Sequence, residues 1–183
     1  MITRDYFASE FDVAIVERSG GLPDHAFAAP GAGARAVEVA VEPWGAPMWT
    51  ATFAAPDLGV RALTAVIGTP SPTGLCVVER GTAFVGDVLE PAVFSVVETR
   101  GPVVDAEELP ADGLLLLLTP WSITAVGQLG RRWTSERLAI DGLRVDEASD
   151  GWLRGVADPD DDEPRDFALN LATGEVVGGA GIA

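Results

Sequence analysis

Alternation of apolar and polar residues with a period of two constrains this chain more than any other feature. In residues 35–42, Val37, Val39 and Val41 fall on one face, while two glutamates fall on the other. This period is typical of a β-strand with one buried face, and similar runs recur along the whole chain. Helical periodicity is expected at most within the first ten residues and in a turn around residues 106–109. The pattern therefore predicts an all-β fold.

Turn chemistry separates the predicted strands. Asp112-Gly113, Asp141-Gly142 and Asp150-Gly151 are dipeptides that adopt the positive φ angles of tight hairpins. The chain has 183 residues, of which 48% are hydrophobic, enough for a full core in one domain of ordinary size. We expect a single domain of antiparallel meanders, arranged as a β-sandwich or as a barrel-like pair of sheets.

A loose internal repeat suggests an alternative arrangement. Gly74-Leu75, Gly113-Leu114 and Gly151-Trp152 begin 39 and 38 residues apart, close to the period of about 40 residues in a four-stranded propeller blade. Residues 114–133, which end in Gly130-Arg131-Arg132-Trp133, are similar to one blade of a quinoprotein-type β-propeller. A small or partial β-propeller is therefore the alternative. Any meander of four short strands has the same period, which keeps the sandwich or barrel-like fold first.

Composition divides the chain into three segments. Residues 1–18 are predicted to form an N-terminal strand segment, and residues 35–183 the main β domain. Residues 19–34 are rich in Gly, Ala and Pro, a composition typical of a loop or linker between elements.

The charge balance excludes several classes of partner. Twelve basic residues, all arginine, stand against 28 Asp and Glu, giving a formal net charge of −16. Such a chain repels phosphates, so we expect no nucleic acid and no anionic membrane as partners. Residues 114–118 form the longest aliphatic run, far short of the roughly 18 residues of a membrane span. The N-terminal residues lack the features of a secretory signal, which predicts a cytoplasmic protein.

Catalytic and cofactor motifs are lacking in the sequence. Nucleotide-binding glycine motifs, the H-E-x-x-H and C-x-x-C metal and redox motifs and the G-x-S-x-G nucleophile turn do not occur. The single cysteine, Cys76, lies in an apolar run, where a thiol normally packs as a small hydrophobe. We therefore predict no cofactor and no catalytic residue, and the sequence favours a non-enzymatic protein.

One acidic run resembles the beginning of a cation site. Asp158, Asp160 and Asp162 place carboxylates at alternate positions, and Ca²⁺ prefers oxygen ligands of this kind. The run departs from an EF-hand loop, which would need glycine and glutamate where this chain has Glu163 and Leu169. The three aspartates are a candidate Ca²⁺ site, and a solvated hairpin tip is the alternative.

Trp44 is the candidate binding residue. It lies in the turn Pro43-Trp44-Gly45, where an indole can stay exposed, and exposed aromatic side chains often anchor protein interfaces. Trp49, Trp133 and Trp152 fall in or beside predicted strands and are assigned to the core.

We expect a non-enzymatic acidic β-domain that acts by binding, with a protein as its partner. Two alternatives remain. The protein could be a carboxylate-dependent hydrolase or carbohydrate-binding module, since 28 acids are present and Trp44 can stack on sugars. It could also be a structural unit of a homo-oligomer, because incomplete sets of propeller-like units close only with further copies.

Overall fold

The computed structural model describes residues 2–4, 7–17, 21–57 and 62–181. These residues form 17 strands in four sheets, which confirms the predicted all-β fold of antiparallel meanders. The described ranges contain no helix, and hence none long and apolar enough to cross a membrane.

The strands are grouped by sheet. The first sheet has the order β2(Phe11–Val16), β4(Ala36–Pro43), β5(Trp49–Ala54), β3(His25–Ala28). The second has the order β1(Ile2–Arg4), β6(Ala65–Gly68), β7(Gly74–Glu79), β8(Thr82–Asp87), β9(Glu90–Val96). The third has the order β10(Asp105–Leu109), β11(Leu114–Leu118), β12(Ile123–Gly127), β13(Gly130–Thr134). The fourth has the order β14(Leu143–Ser149), β15(Trp152–Ala157), β16(Arg165–Asn170), β17(Val176–Gly178).

The chain divides into two compact units, Met1–Glu98 and Thr99–Ala183. In the first unit, the first and second sheets share one apolar cluster that includes Val39, Phe53 and Phe84. In the second unit, the third and fourth sheets share another, which includes Leu116 and Leu169. Each unit is thus a pair of sheets that meet across a core, because every amphipathic strand must bury its apolar face.

The predicted internal repeat marks a structural unit. Gly74 begins β7, Gly113 precedes β11 and Gly151 precedes β15. Each of these strands is the second strand of an antiparallel four-stranded meander. The 38- to 39-residue spacing therefore reports three meanders of equal length, the kind of unit that the propeller alternative expects.

Segments 1–18 and 35–183 of the predicted division both contribute to the first sheet. Strand β2 pairs with β4 from Phe11 opposite Pro43 to Val16 opposite Glu38. The predicted loop 19–34 contains β3, which pairs in parallel with β5. A short strand forms there because β5 offers it an open edge, although its own composition favours a loop.

The helical turn that the sequence allows around residues 106–109 does not form. These residues belong to β10, which pairs with β11 from Asp105 opposite Leu118 to Leu109 opposite Leu114. The sequence of β10, Asp-Ala-Glu-Glu-Leu, has weak strand propensity, but the neighbouring apolar strand β11 supplies backbone hydrogen-bond partners along its length. Tertiary pairing therefore overrides the local preference.

Candidate functional site

Four large hydrophobic side chains of the first unit are exposed on loops at one end of its strands. Leu22 is 98% exposed, Trp44 and Met48 are each 64% exposed, and Leu89 is 52% exposed. We call these four residues the loop-end surface. Single exposed hydrophobic residues are common on proteins, but grouped ones mark interaction sites. The four side chains form such a group only if the loops that carry them are held together.

Hydrogen bonds between these loops hold them together. The indole N–H of Trp49, the residue after Met48, donates to a carbonyl oxygen at 2.9 Å. That oxygen belongs to Val88, the residue before Leu89. The carboxylate of Asp24, two residues after Leu22, accepts hydrogen bonds from the Thr50 backbone N–H at 2.7 Å and its hydroxyl at 3.0 Å. These bonds from Thr50 lower the pKa of Asp24, so the link persists into mildly acidic solution. The loops bearing Leu22, Met48 and Leu89 are thus joined around the start of β5.

Trp44 is fixed at the same end of the first sheet. Its backbone N–H donates to the carbonyl oxygen of Glu10 at 2.9 Å, and its indole Nε1 lies 3.4 Å from an Asp12 carboxylate oxygen. The indole therefore has a preferred orientation while most of its surface faces solvent. The turn at Trp44 begins where β4 ends and closes at β5. The sequence prediction of an exposed Trp44 agrees with this placement, and its role in binding stays a prediction.

The loop-end surface lies among acidic residues. Segments 8–12, 21–25, 42–48 and 87–90 contain six carboxylates and no arginine: Glu10, Asp12, Asp24, Glu42, Asp87 and Glu90. All of these except Asp87 are exposed. A partner that covers the apolar side chains must therefore accommodate negative charge at its rim, which favours Lys or Arg there.

The first unit also has a concave feature, a pocket of about 450 Å³. Ile15, Val16 and Val37 form an apolar wall, and the polar side chains are Arg35, Glu38, Thr64, Glu79 and Arg80. Glu38 and Glu79 are each 6% exposed. The alternation in β4 predicts Glu38 on a solvated face together with Glu42. Glu42 is exposed, but Glu38 is buried, because the strand passes along the pocket wall at that point.

Thr64 and Arg80 hold Glu79. The Thr64 hydroxyl donates to Glu79 Oε2 at 3.3 Å and accepts the Arg80 backbone N–H at 3.2 Å. The Arg80 guanidinium is 3.7 Å from Glu79 and 3.6 Å from Asp57, longer than a charge-assisted hydrogen bond. Burial raises the pKa of Glu79, and the Thr64 hydrogen bond and Arg80 charge offset only part of that rise. This carboxylate is therefore buried with modest compensation.

The structure does not bring the three predicted calcium ligands together. Asp158 is buried, and its Oδ1 accepts the backbone N–H groups of Ile140 at 2.8 Å and Asp141 at 2.7 Å. Asp160 and Asp162 are exposed. Throughout the described ranges, no three His, Cys, Asp or Glu side chains converge as metal ligands. Asp158 instead ties its turn to the chain before β14, and calcium binding by this run stays a prediction.

The remaining residues singled out by the sequence are structural. Cys76 is fully buried in β7, and burial raises the pKa of its thiol to about 12. Trp49 is buried, while Trp133 packs against the core of the second unit and donates from its indole to the Leu171 carbonyl oxygen at 2.9 Å. Trp152 is half-buried in β15.

Sequence reasoning missed Glu38, Glu79 and Met48. Glu38 alternates with valines as an ordinary solvated strand residue does, and Glu79 ends an apolar run beside the Arg80-Gly81 turn, so no local signal marks either as buried. Met48 ends the loop that Trp44 begins, and it is exposed although the next residue, Trp49, is buried.

Comparisons with known proteins add little to this geometry. No protein-family profile matches the chain, and neither does any curated protein. Among solved structures, the chain is similar to the crystal structure of the N-terminal domain of Nup159, with 14% sequence identity and a TM-score of 0.43. The alignment covers 97% of this chain and 52% of that one, so this chain spans about half the length of that structure.

Proposed function

We propose that this protein is a non-enzymatic cytoplasmic domain that binds a protein partner through the loop-end surface. The observation that carries the proposal is the exposure of Leu22, Trp44, Met48 and Leu89 on loops that hydrogen bonds hold together. Tryptophan and methionine are enriched at interface centres. A protein partner fits this chemistry better than a small ligand, since the surface is formed by protruding side chains and not by a cavity.

The acidic residues around the loop-end surface favour basic residues at the rim of the partner's interface. With a net charge of −16 and exposed carboxylates beside the apolar residues, long-range attraction favours a basic partner and raises its association rate. The apolar side chains supply the short-range contact, because burying a large hydrophobic side chain contributes roughly 1.5–3 kcal/mol. The partner is thus expected to present aliphatic or aromatic residues flanked by Lys or Arg.

Selection of peptides from a displayed random library on the immobilised protein tests this proposal. We expect the selected peptides to combine apolar residues with Lys or Arg. We also expect Trp44→Ser and Met48→Ser each to lower their affinity at least tenfold, as replacement of an interface anchor does. Val177→Ser is the matched control: Val177 is 61% exposed but belongs to the second unit, and its replacement should leave the affinity unchanged.

Three results would contradict the proposal. Peptides that bind the Trp44→Ser and Met48→Ser variants as tightly as the unmodified protein would place recognition elsewhere. Binding of soluble oligosaccharides that Trp44→Ser abolishes would favour the carbohydrate-binding alternative. A dimer or larger assembly in solution that Trp44→Ser dissociates would favour the homo-oligomer alternative, with a second copy of the chain covering the loop-end surface.

A further inference from the structure

Trp44 has three carboxylates around it on the face of the first sheet that points away from the core. Asp12 lies directly opposite Glu42 in the pairing of β2 with β4. One step further along, the Trp44 backbone N–H donates to the Glu10 carbonyl oxygen at 2.9 Å, which places Glu10 opposite Trp44. Phe11, between Glu10 and Asp12, points into the core, so the alternation of a strand directs these four side chains outward together.

We call Glu10, Asp12, Glu42 and Trp44 the Trp44 corner. All four side chains are exposed, and three of them are negatively charged. Among the described residues, Asp12 contacts the Trp44 indole, and the arginines form their ion pairs with other carboxylates. Like charges directly opposite each other on neighbouring strands repel, and a cation between them removes that repulsion. The corner therefore favours a positively charged group over a neutral one.

The indole of Trp44 determines which cation fits best. Because 64% of the side chain is exposed, its ring cannot be covered on both faces, and the contact with Asp12 gives it a preferred orientation. A guanidinium stacks on an indole within about 6 Å of the ring centre. Its planar fork of N–H groups stays free to bond carboxylates beside the ring, whereas an ammonium is a compact, strongly hydrated point charge.

The spacing of the carboxylates also suits a guanidinium. Asp12 and Glu42 are directly opposed, so their Cβ atoms are about 4.5–5.5 Å apart, and one guanidinium can donate to both. Asp12 meets the indole N–H through Oδ2, which leaves its Oδ1 as an acceptor. Stacking and hydrogen bonding can thus be made by the same group.

We infer that the Trp44 corner binds an arginine side chain of the partner protein, stacked on the Trp44 indole and hydrogen-bonded to Asp12 and Glu42. The inference rests on the proposed function, because the arginine belongs to the partner that covers the loop-end surface. It adds a requirement that apolar contact and long-range attraction do not impose. A lysine carries the same charge but does not replace this arginine without loss of affinity.

Titration with blocked amino acids tests the corner directly. The probes are Nα-acetyl-arginine methylamide and its lysine and citrulline counterparts, added at matched ionic strength. NMR follows the Trp44 indole N–H and the Gly45 backbone N–H. We expect the arginine probe to reach its half-maximal shift at a concentration about two- to fivefold lower than the lysine probe. The citrulline probe, similar in shape but uncharged, should bind most weakly.

Substitutions locate the bound guanidinium. Trp44→Leu keeps an apolar side chain but removes the aromatic ring, so the Gly45 resonance should then show no preference for arginine over lysine. Glu42→Gln is expected to weaken binding of the arginine probe about two- to fivefold, as loss of one exposed ion pair does. Glu163→Gln is the matched control: it removes an equal charge from an exposed position in the second unit, and binding should be unchanged.

Several outcomes would overturn the inference. Equal binding of the arginine and lysine probes, or an arginine preference that persists in Trp44→Leu, would show that the indole does not select the cation. Equal losses in Glu42→Gln and Glu163→Gln would show attraction to the acidic protein as a whole. The proposed function fails differently, with no peptide selected or with selected peptides that bind Met48→Ser undiminished. If peptides depend on Met48 but the arginine probe does not shift Trp44, the inference fails and the proposed function stands.

Discussion

Asp158 allows a quantitative test of the structural role that replaces its predicted role as a calcium ligand. Its Oδ1 accepts two backbone N–H groups, from Ile140 and Asp141, and its own backbone has a positive φ of 53°. Replacement by Ala removes the oxygen that accepts both hydrogen bonds and leaves a residue without a side-chain acceptor in the left-handed region. Asn keeps an acceptor oxygen and tolerates that conformation better than Ala does.

The expected loss follows from these contacts. Hydrogen bonds to a charged group contribute about 1.5–3 kcal/mol each when buried. Ile140 and Asp141 are themselves exposed, so water can replace part of what the carboxylate provides. We therefore expect Asp158→Ala to lower the free energy of unfolding by about 2–3 kcal/mol and Asp158→Asn by about 1 kcal/mol. Asp160→Ala, at an exposed position two residues away, should change it by less than about 0.5 kcal/mol.

Urea unfolding followed by circular dichroism measures these differences. With a slope of about 2 kcal/mol per molar urea, a loss of 2 kcal/mol lowers the midpoint by about 1 M. The loss should be the same in EDTA and in millimolar CaCl₂, because the contacts of Asp158 are to backbone amides. Equal midpoints for Asp158→Ala and Asp160→Ala would refute the reasoning. A loss seen only with calcium would restore the cation site at Asp158, Asp160 and Asp162.

Three further predictions concern the core and the charge. Leu116, fully buried in β11, should not tolerate Asp, and soluble expression of Leu116→Asp should fail, whereas the exposed Leu129→Asp should express normally. Cys76, with its pKa raised to about 12 by burial, should react with a thiol reagent only as fast as the protein unfolds; rapid labelling of the native protein would contradict its burial. Raising NaCl from 0.01 M to 1 M should increase Tm, since it shortens the Debye length from about 30 Å to about 3 Å and screens a net charge of −16; an unchanged Tm would mean that carboxylate repulsion is small.

The strands that could be predicted are those in which the alternation of apolar and polar residues and the flanking turn residues indicate the same element. Strand β4 follows its valines, and Asp150-Gly151 forms the tight turn between β14 and β15 with φ angles of 54° and 77°. Arg80-Gly81 joins β7 to β8 in the same way, with φ angles of 49° and 80°. In these places local conformation and burial point to the same structure, so a single sequence is informative.

The elements that were missed are edge strands. Strands β3 and β10 are short, lie at the edge of their sheets, and have compositions that favour loops or helical turns. What makes them strands is the neighbour that pairs with each, β5 and β11 respectively. The neighbouring strand lies outside the segment itself and comes beside it only when the sheet forms, so the local sequence pattern does not reveal the pairing.

The two candidate sites, the loop-end surface and the pocket at Glu38, also differ in how far the sequence predicts them. Trp44 could be selected because proline and glycine flank it, and a turn leaves a large side chain exposed. Glu38 and Glu42 occupy equivalent positions in the alternation of β4, but only Glu38 is buried. The difference arises because the second sheet brings Thr64, Glu79 and Arg80 to one part of that strand. Such a pocket belongs to the packing of two sheets and has no signature in either segment alone.

Burial of Glu79 also predicts how stability depends on pH. Burial raises its pKa above the ordinary value of 4.5, so the native state binds the proton more tightly than the unfolded chain does. By linkage, the contribution of this group to stability increases as the pH falls through the native pKa, and it levels off below 4.5. Among the described residues, Arg35, Glu38 and Arg80 are the other charged groups that line the pocket, and Arg80 also faces Asp57; none of these is altered in the comparison that follows.

The measurement compares the unmodified protein with Glu79→Gln, which cannot titrate at this position, by urea unfolding at a series of pH values. Asp24 and Asp146 have lowered pKa values and lose stability on acidification, but both proteins share that loss, and it cancels in the difference. We expect the unmodified protein to gain stability relative to Glu79→Gln as the pH is lowered from neutral to 4.5. A difference that stays constant over this range would mean that Glu79 is as well solvated in the folded protein as in the unfolded chain. A difference of the opposite sign would mean that Arg80 and Thr64 stabilise its ionised form more than burial opposes it.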